Sequence, residues 1–247
     1  MRFVLVLTGL ALAAAPARAD DSKLVKEDVP IQPKTEVVGR DPYCCGYPLA
    51  ENLGFRLRFY WLAREGDFDE SDEIQGSDVD EVDLYTRDGM FIGAYSYKFA
   101  WHLRMEGSGL LLDGRVLNTH GNCKFGLGKC FETLDVDRHP FGRGAGRRPL
   151  VPFKSVAVDP TLIPIGEPLY IPELDGIMLP DGSIHDGCVR ADDTGGGIKK
   201  RKMDFFVVSY GNFRFLLDEL WGIDWMTPHI EAPRCAYMKD RDRDLLR

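Results

Sequence analysis

The chain reads as a mainly β protein with one late helix. Short runs rich in Val, Ile, Phe and Tyr recur along it, separated by Gly, Pro and Asp-Gly signals. Prolines at 160, 164 and 168 interrupt the run FKSVAVDPTLIPIGEPLYIPEL, which confines its strands to edges, strand starts or corners. Only NFRFLLDELWG, Asn212 to Gly222, carries apolar residues at helical spacing: Phe213, Leu216, Leu217, Leu220 and Trp221. Asn212 is placed to cap its start and Gly222 its end.

In chain order, residues 1–19 open with one basic residue, continue as an apolar run from Val4 to Ala15 and close with small residues at Ala17 and Ala19. That is a signal peptide, cleaved after Ala19. The run is too short to span a bilayer, and no later stretch is long and apolar enough to do so. The chain is therefore expected to be periplasmic or secreted. No cysteine stands directly after the cleavage point, where Asp20 follows Ala19, so no lipid or other membrane anchor is expected. The net charge is −8, and loss of Arg2 and Arg18 with the leader makes it more negative, which argues against nucleic acid as a partner. All six cysteines (Cys44, Cys45, Cys123, Cys130, Cys188 and Cys235) follow the leader. An even number in an exported chain predicts three disulfides, with Cys123 and Cys130 close enough to pair locally and the adjacent Cys44 and Cys45 reaching two different partners. There is no C-x2-C pair and no cysteine at ligand spacing from a histidine, so no metal and no cofactor are expected.

Residues 20–54 are polar and proline-bearing and read as an extended N-terminal segment. FRLRFYWLA, Phe55 to Ala63, alternates partly and is rich in aromatics, the pattern of a strand. A strongly acidic loop follows. Beyond it lies a β-rich block in which Asp88-Gly89 and Asp113-Gly114 are hairpin turns between β-prone runs. Residues 131–150, with several glycines and Arg143, Arg147 and Arg148, read as a loop. The chain ends in KDRDRDLLR, a charged run that reads as solvated.

The stretch VRADDTGGGIKKRKMDFFVV, Val189 to Val208, reads as a turn holding acidic groups between two strands, with the Gly195-Gly196-Gly197 run beside Asp193 as a floor on which a polymer could approach the backbone, and Thr194, Gly195 and Gly196 among the expected substrate-binding residues. SVAVDPTLIPIGEPLYIP, ADDTGGGIKKRKMDFF and the helix ending in Trp221-Gly222 follow one another in order. Together they resemble the 3D domain, named for three aspartates and found in MltA-type membrane-bound lytic transglycosylases and in smaller secreted cell-wall proteins. The aspartates fall on Asp159, Asp193 and Asp204. MEGSGLLLDGRV, Met105 to Val116, is similar to the QGSG-x-l-x-x-dG segment of the MltA-type inserted domain. The resemblance implies a double-psi β-barrel at 55–231 with a β-rich lobe inserted at about 65–140, followed by a C-terminal tail at 232–247. It also implies peptidoglycan glycan strands as the partner, and cleavage of the MurNAc-β-1,4-GlcNAc bond without water to leave a 1,6-anhydro end. The general acid would be the aspartate of the D-x-G-G element, Asp193. The chain departs from the usual motif in having GGGIKK for GGAIKG, and CKFGLGKC where the family has an NG-x-PY-type segment.

Such a reaction needs one carboxyl that holds its proton near neutral pH, hence a pKa raised by burial or by like-charged neighbours such as Asp192, Asp204 and Asp159. Lys199 would work the other way and is assigned to a substrate amide or carboxylate. Asp159 precedes Pro160 and suits a turn cap better than catalysis, although it is counted with the substrate-binding groups. Asp204 either shares the active site with Asp193 or accepts amides of the glycine turn. Glu106 and Ser108 belong to a turn or touch the groove. Tyr60 and Trp61 read as core rather than sugar platforms, and none of the five histidines lies near a nucleophile. Two other functions fit the same groove: a non-catalytic cell-wall glycan-binding module, and a hydrolase of another polysaccharide.

Overall fold

The computed structural model describes residues 42–50, 53–68 and 81–241. The expected signal peptide, most of the N-terminal segment, the centre of the acidic loop and the last six residues lie outside the described residues. The fold is mainly β. A short helix α1 (Pro42–Cys45) leads into β1 (Tyr47–Pro48), β2 (Phe55–Tyr60) and β3 (Ala63–Arg64). The inserted region holds β4 (Glu81–Tyr85), β5 (Phe91–Ser96), a second helix α2 (Tyr97–Glu106), β6 (Ser108–Leu110), β7 (Val116–Asn122) and β8 (Lys129–Leu134). The chain then returns through β9 (Ser155–Ala157), β10 (Pro168–Met178), β11 (Ile184–Asp193) and β12 (Lys202–Phe206). It closes with α3 (Tyr210–Glu219), β13 (Trp225–Met226) and β14 (His229–Ile230).

Eight strands form one sheet in the order β1-β14-β10-β11-β9-β12-β2-β13. Its centre is the antiparallel pair β9–β12, flanked by the parallel partners β11 and β2. Alternation explains the layering, because Phe55 and Leu57, Val156, and Met203 and Phe205 all enter one core with Leu216 of α3. The inserted lobe has its own four-stranded sheet, β3-β6-β7-β8, and the hairpin β4-β5. Asp88-Gly89 and Asp113-Gly114 turn as expected, with Gly89 and Gly114 both at positive φ. The lobe's core is Leu84, Tyr95, Phe99, Leu103, Leu117 and Phe131.

Four expectations change. The segment 97–106 is a helix, not part of a β run: the Ser96 hydroxyl accepts the Phe99 N–H, Gly107 closes the helix at φ 88°, and Phe99, Ala100 and Leu103 are buried at helical spacing. In α3 the cap is Ser209, whose side chain accepts the Asn212 N–H, while the Asn212 amide instead donates to the Val207 carbonyl at 2.9 Å. There are two disulfides rather than three, Cys123–Cys130 and Cys188–Cys235, and Cys44 and Cys45 remain thiols. The charged end is solvated only in part: Lys239 and Asp240 are exposed, while Arg241 is half-buried and the segment before it is anchored. Residues Pro233–Lys239 form a 3-10 turn that buries Cys235 and Met238 against Tyr170 and Cys188. Burial of two apolar side chains and one cross-link outweighs the charge of this segment.

Candidate active site

The site begins at Ala157 on β9. In register, Ala157 faces Asp193 on β11 on one side and Asp204 on β12 on the other. Adjacent strands lie about 4.8 Å apart, so the two aspartate backbones are roughly 9.5 Å apart across a side chain too small to separate their carboxyls. A register shift between Ala191 and Asp193 makes this possible. Val189 and Ala191 face the core, and strict alternation would send Asp193 there too. One extra residue, Asp192, re-aims it to the other face.

Asp192 is itself fully buried. Its Oδ1 accepts from Arg190 Nε at 2.6 Å, and its Oδ2 accepts from Arg241 Nη2 at 2.6 Å and Ser155 Oγ at 2.5 Å. Arg190, also without exposure, donates through Nη1 to the Met238 carbonyl at 2.8 Å. A buried charge is tolerable only when paired and hydrogen-bonded in this way. The docked tail therefore supplies part of the scaffold on which Asp193 stands.

Asp193 and Asp204 open into one cavity of about 510 Å³, which also takes in Tyr60, Glu106, Ser108 and the turn residues Thr194, Gly195 and Gly196. Burial pushes the Asp193 carboxyl up to about 7; the backbone N–H groups of Thr194 and Ala145 oppose this, and Asp192 and Asp204 add to it. The Thr194 N–H reaches Asp193 Oδ1 at 2.8 Å. Glu106, the last residue of α2, is likewise pushed up to about 7 by burial; the Trp61 N–H, 3.1 Å from Oε2, opposes the shift and Asp204 adds to it. Burial also raises Asp204, against Arg58 and Lys202. No hydrogen-bond partner reaches Asp204 Oδ1, and Arg58 Nε stands 3.9 Å away. The Tyr60 hydroxyl is buried without a hydrogen-bond partner as well, and burial followed by the surrounding carboxylates raises its pKa well above normal, so it stays an O–H donor.

Asp159 and Lys199 are not among the residues that line the cavity. Asp159 organises the turn from outside: Oδ1 accepts from the Thr161 N–H and hydroxyl at 3.0 and 2.8 Å, and Oδ2 accepts from the Lys200 N–H at 2.7 Å. These bonds hold its carboxyl below the usual range. None of Gly195, Gly196 and Gly197 adopts positive φ; Lys200 does, at 59°. Ser108 is buried and donates to Asn118 Oδ1 at 2.6 Å, the atom that also accepts the Arg143 N–H at 3.0 Å, so it shapes the wall.

Sequence reasoning missed the basic side of the cavity, Arg104, Lys129 and Arg143, and the close approach of the loop before β9. A Cβ on Gly142 would lie 2.1 Å from Ser108 Oγ, and one on Gly144 would lie 2.3 Å from the Asp192 carbonyl oxygen. The spacing FGRGAG was the available signal, since alternate glycines mark backbone that must pass close to something. Among the described residues no three His, Cys, Asp or Glu side chains converge to hold a metal ion.

Residues 154–215 match the family model of the 3D domain, a segment that runs from β9 through Asp193 and Asp204 into α3. No curated protein matches the chain. Among solved structures, the chain is similar to E. coli MltA with bound chitohexaose at 16% identity and a TM-score of 0.40, covering 73% of each chain. It is similar to a membrane-bound lytic murein transglycosylase from Agrobacterium tumefaciens at 14% identity and a TM-score of 0.38, covering 75% of this chain and 71% of that one. A third is the lytic transglycosylase LtgG of Burkholderia pseudomallei, at 18% identity and a TM-score of 0.32, covering 72% and 67%.

Proposed function

We propose that this chain is a peptidoglycan lytic transglycosylase that works outside the cytoplasm. The observation that carries this reading is the convergence of Asp193, Asp204 and Glu106, all with raised pKa values, in one cavity of the segment that matches the 3D domain. The central β9–β12 pair with its parallel flanks supports the double-psi reading of residues 55–231. Two disulfides, together with the leader, support an oxidising compartment.

The sequence favours Asp193 as the acid; the geometry favours Asp204. Asp193 Oδ1 is already engaged by the N–H of the next residue, which stabilises the carboxylate and holds it to its own turn. Asp204 is raised by burial, carries an oxygen with no hydrogen-bond partner, and stands beside Ala157 where a bound chain would pass. In this mechanism the Asp204 carboxyl gives its proton to the glycosidic oxygen as the C1–O bond breaks. The C6 hydroxyl of the same muramic acid then forms the new bond to C1 and returns its proton to the Asp204 carboxylate. Asp193, fixed by the turn and by Asp192 beneath it, hydrogen-bonds sugar hydroxyls and stands as a second carboxyl beside Asp204. Thr194, Gly195 and Gly196 form the floor, and Ser108 sets the opposite wall. Lys199 and Asp159, outside the lining, act on the turn.

One observation favours hydrolysis as a second reading. Glu106 is a further carboxyl with a pKa of about 7 in the same cavity, and two carboxyls suffice to activate a water. Mass spectrometry of sacculi digested with residues 20–247 separates the readings. Anhydro-muropeptides are expected. Reducing ends would assign hydrolysis, and an absence of products would leave a glycan-binding module.

A further inference from the structure

Helix α2 buries Phe99, Ala100 and Leu103 and turns a different face outward. On that face lie Tyr97, Trp101, Arg104 and Met105, at i, i+4, i+7 and i+8, the spacing of one stripe. The rings of Tyr97 and Trp101 are nearly parallel, at 15° with centroids 6.3 Å apart, and the Arg104 guanidinium stands 4.9 Å from the Trp101 ring centroid. Trp101 and Met105 are exposed, Met105 by 63%. The stripe is continuous with the cavity, since Arg104 and Met105 line it and Glu106 follows directly. At 1.5 Å per residue it runs about 12 Å outward from the cavity mouth.

We infer that this stripe is a glycan-binding platform, on which sugar rings beyond the scissile bond stack against Trp101 and then Tyr97, with Arg104 placed for a carboxylate carried by the glycan. The inference rests on the proposed glycan substrate. A pyranose ring has a C–H face and a hydroxylated rim, which matches flat aromatic rings with a cation close by, here Arg104 over the Trp101 ring. The strip is one side chain wide, far below the roughly 800 Å² per partner of a stable protein interface. The rings also hold each other and the arginine in place before any ligand arrives, so little side-chain entropy remains to be lost on binding.

The test uses the mature chain carrying Asp204→Asn, so that ligands are bound and not consumed. Titration calorimetry with a hexasaccharide and a disaccharide of β-1,4-linked N-acetylglucosamine is run on this parent and on the same chain with Trp101→Ala. Hexasaccharide affinity is expected to fall about 10-fold, the effect of one aromatic contact, with disaccharide affinity unchanged and Trp101→Phe retaining most of the binding. Equal hexasaccharide affinity in parent and Trp101→Ala, or equal loss for both ligands, would overturn the platform while leaving the proposed activity standing. If Trp101 governs hexasaccharide binding and the wild-type chain releases no product from sacculi, the platform stands and the cleavage reading fails. A parent that binds neither saccharide overturns both.

Discussion

After burial, four carboxyls, Asp193, Asp192, Asp204 and Glu106, raise the pKa of the Tyr60 hydroxyl, and each is held differently. Asp192 is neutralised by two arginines, Asp193 is bound by its own turn, Glu106 takes one backbone N–H, and Asp204 Oδ1 takes none. A buried hydroxyl without a partner costs about 1–3 kcal/mol. Tyr60→Phe is therefore expected to raise the thermal unfolding midpoint by a few degrees; a lower midpoint would show that the hydroxyl has a stabilising partner. Glu106 gives a second prediction. Its folded pKa of about 7 lies above the ordinary 4.5, so the folded state holds a proton that the unfolded state releases. Its stabilising contribution is fully present below about pH 4.5, is lost as pH rises to about 7, and is flat above that. Glu106→Gln keeps an acceptor for the Trp61 N–H and removes the titration. Denaturant midpoints from pH 4 to 8 should then decline less steeply for the variant; parallel curves would contradict the raised pKa.

The elements that carry these groups meet through features with short sequence signatures and long spatial reach. At the turn after β11, positive φ falls on Lys200, where an L residue pays about 1–2 kcal/mol that glycine does not. Against the extra unfolded-state freedom of glycine, Lys200→Gly should stabilise by on the order of 0.5–1 kcal/mol, measured by urea unfolding; destabilisation would mean that the lysine side chain holds the turn. Although residues 131–134, read as loop, form the latter part of β8 and α3 is capped by Ser209 and Leu220, most strands, both Asp-Gly turns and the body of the late helix were legible in the sequence because each rests on local pattern. Helix α2 was not: Tyr97, Phe99 and Trp101 are strand formers by propensity, and its caps, Ser96 and Gly107, weigh less than three aromatics until packing against Leu117 and Phe131 decides the matter. The aspartates could be read from the motif, and Glu106 and Ser108 as groove candidates, but the one-residue bulge that aims Asp193 and the burial that raises Glu106 depend on pairings across long stretches of chain.

At the scale of the molecule, the C-terminal segment is part of the site's foundation. Cys188 lies on β11, the strand that ends in Asp192 and Asp193, and its bond to Cys235 closes a separation of 47 residues. The same segment brings Arg241 to Asp192 and the Met238 carbonyl to Arg190. A cross-link over that separation stabilises by about 4 kcal/mol in the chain-entropy picture. Cys235→Ser should cost stability of that order in denaturant unfolding and lower turnover on sacculi, because the buried pair beneath Asp193 loosens. A variant with unchanged stability would mean that the tail docks without supporting the sheet.

The central claim is that one carboxyl, Asp204, both gives and takes the proton. It is tested most directly by comparing turnover of purified sacculi by wild type, Asp204→Asn and Asp193→Asn, each checked for native fold. Asparagine keeps the shape and cannot deliver a proton, so Asp204→Asn should lose on the order of 10²- to 10⁴-fold in rate, while Asp193→Asn loses distinctly less. Wild-type turnover by Asp204→Asn alongside an inactive Asp193→Asn would contradict the claim and move the acid to Asp193.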